Sequence, residues 1–117
     1  MLYSSSSGTT GTVTLSQSAA NFKVVVIGYL TNDGHFGSTC VYSPNGKRVA
    51  LSVAYLSATD LTVGLYVKAK LVTVSGTSIS VYGGSDGSGY GAMMPDGSCA
   101  AARGTSYIKI VSVIGYK

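Results

Sequence analysis

The sequence predicts an all-β protein, an antiparallel β-sandwich of jelly-roll-like type with about seven strands and little or no helix. Three observations lead there. Apolar and polar residues alternate with a period of two over most of the chain, and helical periodicity is nearly absent. Only 10% of residues are charged, against about a quarter in an average globular protein, and there is no Glu at all. A wet surface built from Ser, Thr, Gly and Tyr suits strands and tight turns, because solvent-facing helices draw on Glu, Lys, Gln and Arg. Turn signals such as Asn32-Asp33-Gly34 and Pro44-Asn45-Gly46 also recur at short spacing. A β-barrel is the alternative architecture.

The length of 117 residues suits a single domain over residues 1–117 with one core. A strand-like pattern begins almost at Met1, which reads as a domain taken from a longer protein. Val13 and Leu15 alternate with Thr12, Thr14 and Ser16, and Ser18-Ala-Ala-Asn21 reads as a short turn. The next strand carries Phe22, Val24, Val26 and Leu30 on one face and Lys23, Val25, Ile27 and Tyr29 on the other. Apolar on both faces, it belongs in the middle of a sheet. Asp33-Gly34 then makes a hairpin turn, and Ser43-Pro-Asn-Gly46 makes a second. In the strand that follows, Val49, Leu51, Val53 and Tyr55 point one way, while Arg48, Ala50, Ser52 and Ala54 point the other.

Leu61 to Val74 is the cleanest amphipathic pattern. Leu61, Val63, Leu65, Val67, Ala69 and Leu71 are expected to face the core. Thr62, Gly64, Tyr66, Lys68 and Lys70 are expected to face water. The parity loosens near Leu71, which predicts a bulge or bend. Ser75-Gly-Thr77 turns the chain into Ser78–Tyr82. Gly83 to Thr105 has no period and reads as a long loop, the first place to seek a recognition surface. The last strand, Tyr107 to Lys117, is apolar on both faces, with Ile108, Ile110, Ile114 and Tyr116 on one and Tyr107, Val111 and Val113 on the other. Such a strand is central in a sandwich or presses on another subunit.

Chemistry-bearing patterns are scarce. His35, the only histidine, adjoins a turn and reads as exposed. Asp33, Asp86 and Asp96 each precede Gly, a turn dipeptide before it is a catalytic carboxylate. No nucleophile–base pair, carboxylate pair or metal cluster is evident, so neither catalysis nor a metal or cofactor is expected. Gly83–Gly89 lacks the Lys and Ser/Thr that close a phosphate-binding loop. The basic residues exceed the acidic ones by four but are dispersed along the chain, which argues against nucleic acid. No apolar run is long enough for a membrane span, and no secretory signal opens the chain. Cys40 and Cys99 are the only possible disulfide partners, and two unpaired thiols are the other reading. Tyrosine, with nine copies, is the enriched recognition residue, since its ring stacks on sugars and its hydroxyl hydrogen-bonds. The candidate ligand-binding residues are Tyr66, Tyr82, Asp86, Tyr90 and Arg103.

Several stretches resemble one family. The opening Leu2–Phe22, the pieces Asn32-Asp-Gly34 and Val41-Tyr-Ser-Pro-Asn-Gly-Lys47, and the close Ile108–Lys117 resemble small β domains near the C-termini of bacteriophage and prophage tail-fibre or receptor-binding proteins. The resemblance covers most of the chain except roughly Gly83 to Ser106, and it brings no catalytic residues. It implies a non-enzymatic tip, commonly a homotrimer, exposed at the end of a virion's tail. Its partner would be a bacterial surface receptor, a saccharide in the leading case. A purely structural trimerisation or assembly domain is the alternative it implies.

Overall fold

Backbone hydrogen bonds satisfied strand by strand leave two stacked antiparallel sheets and almost no helix. The computed structural model describes residues 1–31, 34–56, 65–81, 90–93, 99–101 and 108–117; for 55–56, 65–66, 90–93 and 99–101 it describes the backbone alone. Among the described residues there are ten strands: β1 (Tyr3–Thr9), β2 (Val13–Thr14), β3 (Val24–Thr31), β4 (Phe36–Tyr42), β5 (Arg48–Leu56), β6 (Leu65–Ser75), β7 (Ser78–Val81), β8 (Tyr90–Met93), β9 (Cys99–Ala101) and β10 (Ile108–Tyr116). Sheet A has the order β1-β10-β3-β4. Sheet B has the order β2-β7-β6-β8-β9, with β5 on the other edge of β6. The all-β sandwich expected from the alternation is therefore the architecture observed.

The strands beyond the expected seven are β1, β8 and β9. β1 answers to the strand-like pattern that begins almost at Met1, although its serine run has no apolar alternation to count it among the seven. β8 and β9 form an antiparallel pair, Gly91↔Ala101 to Met93↔Cys99, inside the stretch expected to be an aperiodic loop. Ladder hydrogen bonds use backbone groups alone, so such small-residue strands form without a side-chain pattern. The expected short turn at Ser18–Asn21 is a single 3₁₀ turn over Ala19–Asn21, with the Ser18 hydroxyl accepting from the Ala20 N–H at 3.2 Å.

β3 is central as its two apolar faces require, flanked by β10 and β4. Val25, Ile27, Tyr29 and Thr31 point into the core, while Val24, Val26 and Leu30 are half-buried on the outside. β10 is also central, but its faces differ from the simple alternation. The β10–β3 register shifts between Ile110 and Ser112. The extra residue changes the parity, so Ile108, Ile110 and Val113 are the ones that enter the core.

β6 reverses the expected faces. Lys68, Lys70, Val72 and Val74 are buried, while Val67, Ala69 and Leu71 are half-buried on the outer side. Val72 lies opposite Val49, Lys70 opposite Leu51 and Lys68 opposite Val53, all facing the interior. A strand's period is two, so once Val72 and Val74 point inward the lysines follow. The bulge expected near Leu71 does not occur on the β5 side, where the register is unbroken from Arg48↔Thr73 to Leu56↔Leu65. What changes there is the other neighbour, β8 along Val67–Lys70 and β7 along Val72–Ser75. Residues 61–64 lie outside the described residues.

β3 and β4 pair as a hairpin, with the Thr31 N–H donating to the His35 carbonyl at 2.8 Å; of the expected Asn32-Asp33-Gly34 turn, residues 32–33 lie outside the described residues. Ser43–Gly46 does not make a hairpin. It carries the chain from β4 in sheet A to β5 in sheet B. The Gly46 N–H donates to the Val74 carbonyl at 2.7 Å and the Val74 N–H donates to the Lys47 carbonyl at 2.9 Å, so the crossing is anchored on β6.

The layers are tied across the core as well as packed. Tyr29 reaches from sheet A to β5, where its hydroxyl donates to the Ser52 carbonyl at 3.1 Å and accepts from the Ser52 N–H at 3.3 Å. The same oxygen pairs with the Thr39 hydroxyl at 2.9 Å. Gly37 makes room for this ring, because a Cβ there would sit 2.7 Å from Tyr29 Cε2 and 2.9 Å from Val53 Cγ2. Tyr29→Phe keeps the packing but removes the partner of two backbone groups. The expected cost is about 1–3 kcal/mol, read as a lower urea midpoint with an unchanged slope. Ile110→Asp places an unpaired charge at a fully buried position and should abolish the cooperative thermal transition. A retained native-like melt for that variant would contradict the placement of β10.

Candidate functional site

The residues proposed from sequence do not converge on one site. Tyr66 lies in β6 opposite Tyr55, and Tyr90 opens β8 opposite Lys70. Tyr82, Asp86 and Arg103 lie outside the described residues, as do Asp33, Asp60 and Asp96. Among the described residues no group of three or more His, Cys, Asp or Glu is placed to hold a metal. His35 is half-buried at the β3–β4 turn, where its backbone N–H donates to the Thr31 hydroxyl at 2.9 Å. Cys40 is a free thiol, exposed on β4, and Cys99 is in β9 of the other sheet.

The unusual ionisable group is Lys70. Sequence reasoning placed it in water, yet it is 1% exposed. Its Nζ donates to the Thr10 carbonyl at 2.8 Å and to the Ile108 carbonyl at 3.1 Å. Burial lowers its pKa from 10.5 to about 8. A partly neutral amine suggests a nucleophile, but this one is enclosed between the sheets. It acts as a cross-tie from β6 to β10 and to the chain after β1.

The exposed surface of sheet A is the more informative region. Four large apolar side chains are exposed among the described residues: Met1, Phe36, Tyr42 and Tyr116. Three of them, Phe36, Tyr42 and Tyr116, lie on sheet A. The register sets them out in rows. Tyr42 and Tyr116 flank Val24, Cys40 and Ile114 flank Val26, and Phe36 and Lys109 flank Leu30. Sequence alternation assigned Phe22, Val24, Val26 and Leu30 to one face of β3. It could not show that Val24, Val26 and Leu30 look outward, that Phe22 instead packs on the core side over Gly115, or which residues of β4 and β10 stand beside them.

Tyr42 and Tyr116 also border the end of the sandwich. There the Lys23 N–H donates to the Tyr116 carbonyl at 2.9 Å, and the Ser43 N–H donates to the Lys23 carbonyl at 2.7 Å. Between the 3₁₀ turn and the β4–β5 crossing lies an open cleft of about 360 Å³, lined by Phe22, Lys23, Ser43, Pro44 and Asn45 among others. Phe22 floors it by lying over Gly115, where a Cβ would come within 2.5 Å of the ring. The Lys117 ammonium stands 5.9 Å from the centre of that ring. The Asn45 side-chain oxygen accepts from the Gly76 N–H at 2.8 Å, which fixes the cleft's rim to the β6–β7 turn.

Comparison with protein-family models, with curated proteins and with solved structures finds no match to this chain.

The role of Lys70 has a pH signature. Its folded-state pKa of about 8 lies below the ordinary 10.5, so between these values the unfolded chain binds more protons. Stability should therefore rise with pH in that window, by at most about 1.4 kcal/mol per pH unit, and be unaffected by this group below it. Urea midpoints at about pH 7 and about pH 9.5 should differ for the natural chain, and the difference should shrink in Lys70→Met.

Proposed function

We propose that this chain is a non-catalytic attachment domain, the receptor-binding tip of a bacteriophage tail protein that adheres to a saccharide on the bacterial surface. The observation that carries the reading is the outer surface of sheet A, where Tyr42, Tyr116 and Phe36 stand exposed on paired strands. Aromatic rings present flat apolar area for the C–H face of a sugar, and each tyrosine adds a hydroxyl. Their strands hold them at fixed spacing, so little side-chain or backbone entropy is lost on binding. The resemblance of Leu2–Phe22, Val41–Lys47 and Ile108–Lys117 to phage tail domains supports the biological setting.

A second reading draws on the same surface. Val24, Val26, Leu30 and Ile114 make an apolar centre between the exposed rings, as a face covered by another subunit would. In that case the domain assembles a tail trimer and carries no receptor site of its own.

The test is binding of the purified, labelled domain to a panel of bacterial cells, with its mass measured by light scattering. The attachment reading expects saturable binding that surface polysaccharide from the same cells competes away. It also expects Tyr42→Ala/Tyr116→Ala to weaken binding by about tenfold or more, with mass and thermal transition unchanged. A double variant that binds normally would overturn it. A double variant that falls from trimer to monomer would establish the assembly reading instead.

A further inference from the structure

We propose that β4 is a self-pairing edge, through which two copies of this chain join sheet A to sheet A about a two-fold axis. The inference goes beyond the attachment reading and does not depend on it. Within sheet A, β4 pairs only with β3. Two bonds fix which of its backbone groups that pairing uses. The Thr31 N–H donates to the His35 carbonyl at 2.8 Å, and the Ser43 N–H donates to the Lys23 carbonyl at 2.7 Å. Between them the register is unbroken from Val24↔Tyr42 to Leu30↔Phe36. Bonded and non-bonded pairs alternate along an antiparallel ladder. Gly37, Thr39 and Val41 therefore bond to β3, while Phe36, Ser38, Cys40 and Tyr42 turn their N–H and C=O groups to the open edge. All four of these residues are exposed, and among the described residues none hydrogen-bonds those backbone groups.

The other edges among the described strands carry devices that oppose such pairing. β2 has two residues and β9 three. β1 loses register between Ser4 and Thr9, where Gly8 has a φ of 85°. On β5 the Tyr29 hydroxyl holds both backbone groups of Ser52, and Arg48 places a charge on the strand. β4 has none of these. Phe36-Gly-Ser-Thr-Cys-Val-Tyr42 holds no charge, no proline and no bulge, so a copy of itself meets no like charge along the edge.

The residue order favours a second copy over an unrelated strand. Phe36 and Tyr42 are 74% and 72% exposed and stand at equal distances either side of Thr39. A two-fold axis at Thr39 sets Phe36 opposite Tyr42 of the second copy, and Ser38 opposite its Cys40. Every edge N–H then meets a carbonyl, and an aromatic pair forms at each end on the outer face. The neighbouring registers are poorer. A slip one way sets Phe36 opposite Pro44, which has no N–H. A slip the other way sets Tyr42 opposite Gly34, whose N–H the Thr31 carbonyl already holds at 3.1 Å. The assembly closes at two copies and leaves the outer face of sheet A uncovered, so two rows of rings lie side by side for a polymeric ligand. An edge of this length buries less than a standard interface, which sets the expected dissociation constant on the order of 10–100 µM.

Sedimentation of the full chain in reducing buffer, from about 5 to about 500 µM, should show a reversible monomer–dimer equilibrium. Ser38→Lys puts a charge on the exposed edge and should weaken the dimer about tenfold or more, with the thermal transition unchanged. Cross-linking reads the register. Two forms are mixed, both carrying Cys99→Ser: one keeps Cys40, the other carries Ser38→Cys and Cys40→Ser. Positions 38 and 40 of opposite copies then have Cα atoms about 5.5 Å apart, within reach of a disulfide, whereas identical positions are diagonal at about 7–8 Å. Mild oxidation should therefore give a covalent dimer of the mixture about tenfold faster than of either form alone. A monomer at every concentration, a trimer, a dimer indifferent to Ser38→Lys, or equal cross-linking of the separate forms would each overturn the inference. Cell binding is read below the dissociation constant, so the attachment reading stands or falls on its own test.

Discussion

Two polar side chains cross the core in opposite directions, and the stacking of the sheets depends on them. Tyr29 runs from sheet A to the backbone of Ser52 in β5. Lys70 runs from sheet B to the backbone of Ile108 in β10. Apolar packing of Ile27, Leu51, Val72, Val74, Ile110 and Val113 drives the sheets together, but it is non-directional and tolerates sliding. A hydrogen bond to a buried backbone group does not, because a slip would leave donor and acceptor without partners in a medium of low polarity. The ties therefore add alignment to an interface that burial alone leaves loosely specified.

That alignment reaches the outer surface. Gly37 must stay under the Tyr29 ring, so β4 is fixed against β3 with Tyr29 opposite Gly37 and Val24 opposite Tyr42. A one-residue slip would turn Phe36 and Tyr42 inward and bring a side chain into the space of the ring. On the other flank the register shift in β10 sets Tyr116 opposite Val24. The tyrosine row is thus a consequence of contacts made on the opposite side of the same sheet. Residues that never touch a ligand determine the spacing of those that would.

The sequence was most legible where side-chain pattern and backbone register say the same thing. β3 shows two apolar faces and is central, and β3 and β4 pair as a hairpin where one was expected. β5 keeps Val49, Leu51 and Val53 inside as its alternation requires. Legibility failed at β6, where hydropathy put Lys68 and Lys70 in water. Their inward direction is imposed by Val72 and Val74 farther along the same strand, and carbonyls from distant segments receive the Lys70 ammonium. It failed again at β10, since a bulge is a backbone event that residue types do not announce. The candidate site was hidden for a related reason. Tyr42, Val24 and Tyr116 are neighbours only through strand pairing, and Ser43–Gly46 looked like a hairpin although it changes sheets. Attention to tyrosine as a recognition residue was the useful signal, but without pairing it pointed to Tyr66, Tyr82 and Tyr90.

The most direct test of the central claim is a residue-by-residue map of the contact. Amide chemical shifts of the isotope-labelled domain would be followed while polysaccharide extracted from cells that bind it is titrated in. The account predicts that the perturbed amides cluster at Val24, Tyr42, Ser43, Tyr116 and Lys117. Perturbations confined to sheet B, or to the end of the sandwich where β3 and β4 meet, would contradict it.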